Sequence, residues 1–264
     1  MKKIILLVLV LVSFIHAEIK EQFKLSIGMM NVLNFETEMQ VAPKGSPIGV
    51  RINTKDQLHM KSDTNVFRLD GCYRFNNTHS IDFSYFSVKS DGVTSDAITW
   101  NGDNIVSAAL HSYFNMDIYR LNYAYSFYHN DKVELALTAG LHITAIDLGV
   151  SAYGTVNGVP DSYYNEATQV TVPLPVFGFK GEYAIIKNEF YVNYRADYFF
   201  LAIDNYKGAL VTTALDLEYR FLENFGVGIG YNVNTIWIEA DGDNARVDVT
   251  NVLSGVALHI SYIY

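Results

Sequence analysis

The chain has 264 residues, with 19 Lys+Arg against 28 Asp+Glu, half of its residues hydrophobic and 14% aromatic. So apolar a composition excludes intrinsic disorder, and an acidic balance without a basic run excludes a nucleic-acid surface. The single cysteine, Cys72, excludes an intrachain disulfide and a CxxC zinc or redox site.

In chain order, the first element is a targeting segment. Lys2 and Lys3 precede an apolar run from Ile4 to Ile15 interrupted by Ser13, and His16-Ala17 leads into the charged Glu18-Ile19-Lys20-Glu21. This pattern predicts a secretory signal at residues 1–17, cleaved after Ala17. The run is shorter than the roughly 20 residues a spanning helix needs, and no cysteine follows it for lipid attachment. Residues 18–264 are expected to form one domain. No later apolar run is long enough for a membrane helix.

What recurs instead is period-two alternation, the mark of strands with two different faces. Val211, Thr213, Leu215, Leu217, Tyr219 and Phe221 share one face, while Thr212, Ala214, Asp216, Glu218 and Arg220 share the other. Ten strands are predicted at 23–37, 65–75, 79–89, 116–128, 133–145, 172–184, 189–201, 210–221, 225–237 and 250–264, with eight as the alternative number. Each can cross a bilayer when tilted, which takes about 9–11 residues. Short turns at Asn76-Asn77-Thr78, His129-Asn130-Asp131, Ile186-Lys187-Asn188 and Leu222-Glu223-Asn224 alternate with longer loops expected at 38–64, 90–115, 146–171, 202–209 and 238–249. Tyr73, Phe75, Tyr125, Phe127, Tyr183, Tyr219, Phe221, Tyr262 and Tyr264 stand at strand ends, which suits an aromatic girdle at the lipid–water boundary. Backbone groups in hydrocarbon must pair within the protein, so such a sheet has to close on itself. The expected fold class is therefore all-β, a closed antiparallel transmembrane β-barrel with both termini and the short turns on the periplasmic side.

The last strand, Ser254 to Tyr264, ends on an aromatic and carries Gly255, Leu258, Ile260, Tyr262 and Tyr264 in a polar–Gly–x–x–hydrophobic–x–hydrophobic arrangement. It resembles the terminal assembly signal of bacterial outer-membrane barrels. The whole mature chain is similar to the broad superfamily of small outer-membrane β-barrel proteins, the group of the OmpA membrane domain and OmpW. The resemblance implies a bacterial outer-membrane address, insertion by the barrel assembly machinery and outer-membrane lipid as surroundings. OmpW-like proteins suggest eight strands, from which the count of ten departs.

On this reading Arg68, Asp70, Arg74, Asp82, Arg120, Glu134, His142, Lys180, Glu182, Arg195, Asp197, Asp216, Glu218 and Arg220 line the lumen, together with Asn193 and His259. Buried charges must pair, so the expectation is a salt-bridged, largely packed polar interior, with Gly226, Gly228 and Gly230 leaving room for long neighbours. Other motifs carry little chemistry. Gly226-x-Gly228-x-Gly230 lacks the dinucleotide spacing. Asp241-Gly242-Asp243-Asn244 lacks the closing Glu of a Ca²⁺ loop and reads as a hairpin turn. Cys72 reads as a small inner-face filler, His142 and His259 as lumen hydrogen-bonders, and His111-Ser112 as a solvated pair in a long loop. Acidic loop residues such as Asp91, Asp161 and Glu239 are expected to be solvated, with loose divalent-cation binding as the sharper option. No catalytic residue, cofactor or metal site is expected. The expected function is a non-enzymatic integral barrel with a structural or surface-interaction role, its loops open to extracellular ligands. A narrow passive channel for small solutes and an outer-membrane hydrolase are the alternatives.

Overall fold

The computed structural model describes residues 21–43, 50–61, 64–95, 97–100, 103–203, 206–241 and 245–264. The expected signal segment, residues 1–17, and Gly242-Asp243-Asn244 lie outside them. Among the described residues the strands are β1 (Phe23–Pro43), β2 (Val50–Asn53), β3 (Thr64–Arg74), β4 (His79–Thr94), β5 (Ile98–Trp100), β6 (Asp103–His129), β7 (Val133–Val156), β8 (Val159–Ile186), β9 (Phe190–Ile203), β10 (Tyr206–Leu222), β11 (Phe225–Asp241) and β12 (Ala245–Ile263). Ten of them form an antiparallel ring, and β2 and β5 are short additions beside β1 and β6. The ring closes where β1 pairs β12 from Lys24↔Ile263 to Pro43↔Ala245. That closure joins the first and last strands of the ring, and the ten-strand expectation stands over the eight-strand alternative.

The outer surface is apolar. Leu137, Leu215, Leu217, Ile229, Leu258 and Ile260 are each between 49% and 60% exposed, a band that only hydrocarbon can cover without large cost. Aromatic pairs ring its lower margin: Phe190 stacks on Tyr219 with centroids 4.6 Å apart, and Phe225 meets Tyr262 at 5.4 Å. Three bulges, at Ser126/Tyr128, Ala184/Ile186 and Arg220/Leu222, sit just above periplasmic turns. There they add twist and end the pairing. Asn31, an awkward residue for a lipid-facing position, is exposed and donates its amide to Asn65 Oδ1 at 2.9 Å.

The strands are longer than expected, and the added length corrects the loop assignment. Residues 146–171 are a continuation of β7 and β8 joined by the two-residue turn Asn157-Gly158, and most of 90–115 belongs to β4 and β6. Along these extensions the alternation changes sign. On β6, Arg120 and Asn122 point inward while Leu121 and Tyr123 point out; a few residues higher, Phe114, Met116 and Ile118 are buried and Asn115 and Asp117 face outward. On β7, His142 and Thr144 give way to Leu148, Val150 and Ala152 as the buried set. On β4, Asp82 and Ser84 give way to Phe86 and Val88. The barrel is therefore polar inside and apolar outside where lipid surrounds it, and apolar inside where water does.

The expectation of a wholly polar interior fails for this outer half. Met30, Val32, Phe86, Phe114, Met116 and Leu253 belong to one continuous buried cluster. Leu58 and Met60, from the turn after β2, complete it at 0% and 5% exposure. That turn is fastened to the inner side of β4: Lys61 N donates to Asp91 O at 3.2 Å, and Ser90 Oγ donates to Lys61 O at 2.6 Å. On the opposite wall β8 follows β7 along its whole length but pairs β9 only from Phe177↔Tyr198 down to Ile186↔Phe190. Pro173 and Pro175 stand directly above that split, where they remove two donors from the ladder.

Candidate functional site

All fourteen charged or imidazole positions expected to line the lumen lie on the inward face. Arg68, Asp70 and Arg74 come from β3, Asp82 from β4, Arg120 from β6, Glu134 and His142 from β7, and Lys180 and Glu182 from β8. Arg195 and Asp197 come from β9, and Asp216, Glu218 and Arg220 from β10. They occupy the half nearer the short turns, below the apolar cluster, where strand alternation turns every second polar residue toward the axis.

Near the periplasmic rim, Arg74 grips Glu134 with both terminal nitrogens, Nη1 at 2.8 Å from Oε1, and Ser126 Oγ donates to the same carboxylate. Arg220 donates Nε to Glu218 Oε1 at 3.0 Å, reaches Glu21 with its terminal nitrogens, and lies 3.7 Å from the centroid of the Tyr191 ring. Glu218 Oε2 takes Lys24 Nζ at 2.7 Å and the Ser261 hydroxyl at 2.9 Å. Higher up, Lys180 Nζ sits 3.0 and 3.1 Å from the two oxygens of Asp82, with Cys72 Sγ at 3.8 Å, and Arg68 grips Asp70 at 2.6 and 3.0 Å.

A second deeply buried hub is Asp197, which is 1% exposed. It accepts from Arg120 Nη1 at 3.0 Å, from Asn122 Nδ2 at 2.8 Å and from Thr138 Oγ1 at 3.3 Å. Its carboxylate crosses two strands to do so. The crossing depends on Gly178 of β8, where an added Cβ would stand 2.6 Å from both Asp197 Oδ1 and Thr138 Oγ1.

Among these groups lies a cavity of about 170 Å³, lined by Lys24, Asp70, Lys180, Glu182, Arg195 and Asp216 with other residues of the lower barrel. Asp216 and His259 on its wall, with Glu218 behind them, present ligand-type atoms within 4.8 Å of one another. Both Glu218 oxygens are already committed to Lys24, Arg220 and Ser261, so the trio is an ion-pair hub with His259 leaning on it, His259 Nδ1 being 3.6 Å from Asp216 Oδ1. The space for that imidazole comes from Gly228, whose added Cβ would meet the ring at 2.3 Å. Gly226 and Gly230 open similar room beside Glu218 and Asp216.

Sequence reasoning missed several members of the network. Lys24 shares the inward parity of Ser26, and that alternation was its available signal. Glu21, Asn122, Ser126 and Thr138 carry ordinary polar identities, and nothing in the sequence ties them to their charged partners. His142 departs from the expected lumen hydrogen-bonder: it is buried and neither ring nitrogen has a protein partner among the described residues. Cys72 lies on the inner face as expected, beside Lys180.

The hydrolase motif comes apart. His111 is exposed, while Ser112 is buried on the opposite face of β6 with its hydroxyl directed to Gly92 O at 3.4 Å. Of the acidic positions taken as loop residues, Asp91 lies 3.7 Å from Lys61, and Glu239 is buried between Lys207 at 3.0 Å and Arg246 at 3.1 Å. In the outer cluster, burial pushes the Tyr164 phenol up to about 12. Of the expected assembly signal, Leu258, Ile260, Tyr262 and Tyr264 are exposed and Gly255 is buried against β1.

No protein-family model matches the chain, and no curated protein is a match to it. Among solved structures, the outer membrane protease OmpT from Escherichia coli superposes with a TM-score of 0.65 at 11% identity, over 95% of this chain and 99% of that one. OprG, an outer membrane protein from Pseudomonas aeruginosa, gives 0.36 at 11% identity over 93% and 96%. Ail, the attachment invasion locus protein of Yersinia pestis, gives 0.29 at 12% identity over 90% and 99%. The OmpT likeness is one of fold. Together with the lipid-facing belt and the ring closure, it makes this chain a closed ten-stranded β-barrel of the outer-membrane type.

Proposed function

We propose that the protein is a plugged, non-enzymatic outer-membrane barrel that acts at the cell surface through the sheet its strands raise above the bilayer. One observation carries this reading: the reversal of the alternation, which fills the outer half of the lumen with a buried apolar cluster from Met30 to Leu253. Ions cross such a packed apolar section only at the cost of losing their hydration. The same extension offers Tyr153 and Tyr163 at 57% and 70% exposure on β7 and β8, and large exposed aromatics of this kind suit contact with a partner. The lipid-facing residues Leu258, Ile260 and Tyr262 on the closing strand suit recognition by the barrel assembly machinery during insertion.

Planar-bilayer recording on the purified full chain tests the reading. The expected result is no steady conductance. A steady conductance that changes on Arg120→Ala or Glu134→Ala would replace it with a narrow passive channel.

A further inference from the structure

We propose that a halide-sized monovalent anion binds at mid-barrel, held between Arg120, Arg195 and His142. The first ground is local charge. Arg68, Arg120 and Arg195 converge beneath the apolar cluster, and the two carboxylates in contact with them are already taken: Arg68 is paired with Asp70 at 2.6 Å and Arg120 with Asp197 at 3.0 Å. Arg195 is in no ion pair among the described residues. A buried cation without a counter-charge is costly in a low-dielectric interior.

The second ground is independent of the first. Arg120 is 4% exposed and His142 is 1% exposed, yet Arg120 Nε and Nη2, Arg195 Nε and both ring nitrogens of His142 have no protein hydrogen-bond partner. Buried polar groups are nearly always satisfied, so a cluster of orphans points to a bound group. The guanidinium nitrogens are donors only, and a neutral imidazole supplies one more donor. A single acceptor in their midst serves the guanidinium donors and the imidazole N–H, while the other imidazole nitrogen, an acceptor, needs a donor.

The third ground is space. A void of about 20 Å³ adjoins these side chains, and it is lined by all three arginines and His142 but by no carboxylate. That volume holds one water-sized body and excludes a carboxylate- or phosphate-bearing molecule. Arg68, Arg195 and Asn232 line both this void and the larger polar cavity below, so the lower chamber leads toward the site. Asn234 also borders the void. Its amide nitrogen is 3.2 Å from Thr212 Oγ1 and its oxygen lacks a partner. Half a turn of that amide keeps the bond, with the threonine hydroxyl as donor, and adds an N–H donor where the oxygen stands. A water molecule is the competitor for the same place, and it leaves Arg195 without a direct ion-pair partner.

Bromide separates the two. Crystals of the full chain grown in sodium bromide are expected to give an anomalous peak between Arg120, Arg195 and His142. In detergent micelles, urea unfolding compared between bromide and gluconate at equal ionic strength is expected to show stabilisation by bromide. At tenfold excess over its dissociation constant the unfolding equilibrium constant falls about tenfold. Arg195→Met is expected to abolish that dependence, and Arg246→Met, at the exposed end of β12, to keep it. Featureless anomalous density at mid-barrel, bromide only at the surface, or equal bromide dependence in Arg195→Met would each overturn the proposal. The wild-type diffraction arm decides alone if Arg195→Met does not fold.

Discussion

Replacing Asp197 by Ala is the sharpest test of how the lower lumen is held together. The Arg120–Asp197 pair is almost wholly buried, with side chains 3% and 0% exposed and 3.0 Å between Nη1 and Oδ2. Removing the carboxylate strands a buried guanidinium without its counter-charge and also takes acceptors from Asn122 and Thr138. Breaking a buried pair from one side costs about 3–5 kcal/mol. Each orphaned neutral donor adds about 1–3 kcal/mol when it cannot turn to another partner. Domains have total stabilities of about 5–15 kcal/mol, so Asp197→Ala should lose a large share of the barrel's margin. The assay is urea unfolding in detergent or vesicles, followed by the fluorescence of Trp100 and Trp237, in halide-free buffer so that no small anion replaces the carboxylate. The partner experiment is Arg120→Leu/Asp197→Leu, which removes both charges and fills the space with apolar side chains; it should be far less destabilising than Asp197→Leu alone. A loss below about 1 kcal/mol for Asp197→Ala, or a double variant as poor as the sum of its parts, would refute the view that this pair is an interior strut.

Two further substitutions test the wall and the packing. Gly228→Ala places a methyl 2.3 Å from the His259 ring and 3.1 Å from Leu217 O, so it should cost about 1–3 kcal/mol in the same unfolding assay. Adding His259→Ala should recover part of that loss; strict additivity would count against the packing argument. Leu141→Arg puts a cation on the lipid face at 45% exposure, well inside the band, and should destabilise by about 2–4 kcal/mol, whereas Val133→Arg beside the periplasmic turn should cost about 0–1 kcal/mol. Equal effects at the two heights would argue that the band is not where hydrocarbon lies.

The architecture was legible because a membrane barrel writes its two environments into adjacent residues. Leu215, Leu217 and Tyr219 against Asp216, Glu218 and Arg220 give both strand and sidedness, and Asn-bearing turns after aromatic exits give the hairpins. Partners were less legible. Arg74 meets Glu134 across 60 positions and Asp197 meets Arg120 across 77, and no local pattern encodes which strands a closed ring brings opposite each other. Gly178 likewise looks like an ordinary weak point in a strand until the carboxylate that passes over it is known.

The least legible part, the apolar outer lumen, had in fact a signal in the sequence. Along Phe114-Asn115-Met116-Asp117-Ile118-Tyr119-Arg120-Leu121 the period of two never breaks, but the apolar set changes parity at Ile118-Tyr119. Below that step the even positions are polar and the odd ones apolar; above it the assignment is reversed. A pattern of apolar-outward strands alone assigns the upper stretch to a loop, which is why 90–115 and 146–171 read as loops from the sequence. Physically the swap is required by solvent. Once a strand leaves hydrocarbon its outward residues meet water, and only the axis remains available to bury apolar side chains. The swap therefore marks the upper boundary of the bilayer on these three strands: near Tyr119 on β6, between Thr144 and Leu148 on β7, and between Ser84 and Phe86 on β4. The swaps on β4 and β6 are in register, since Tyr119 pairs Tyr85, and the one on β7 lies one to five residues higher, opposite Ile118 to Phe114. Neighbouring strands reversing within a few residues of one another is what a lipid surface imposes, and neither a soluble barrel nor a fully embedded one would produce it.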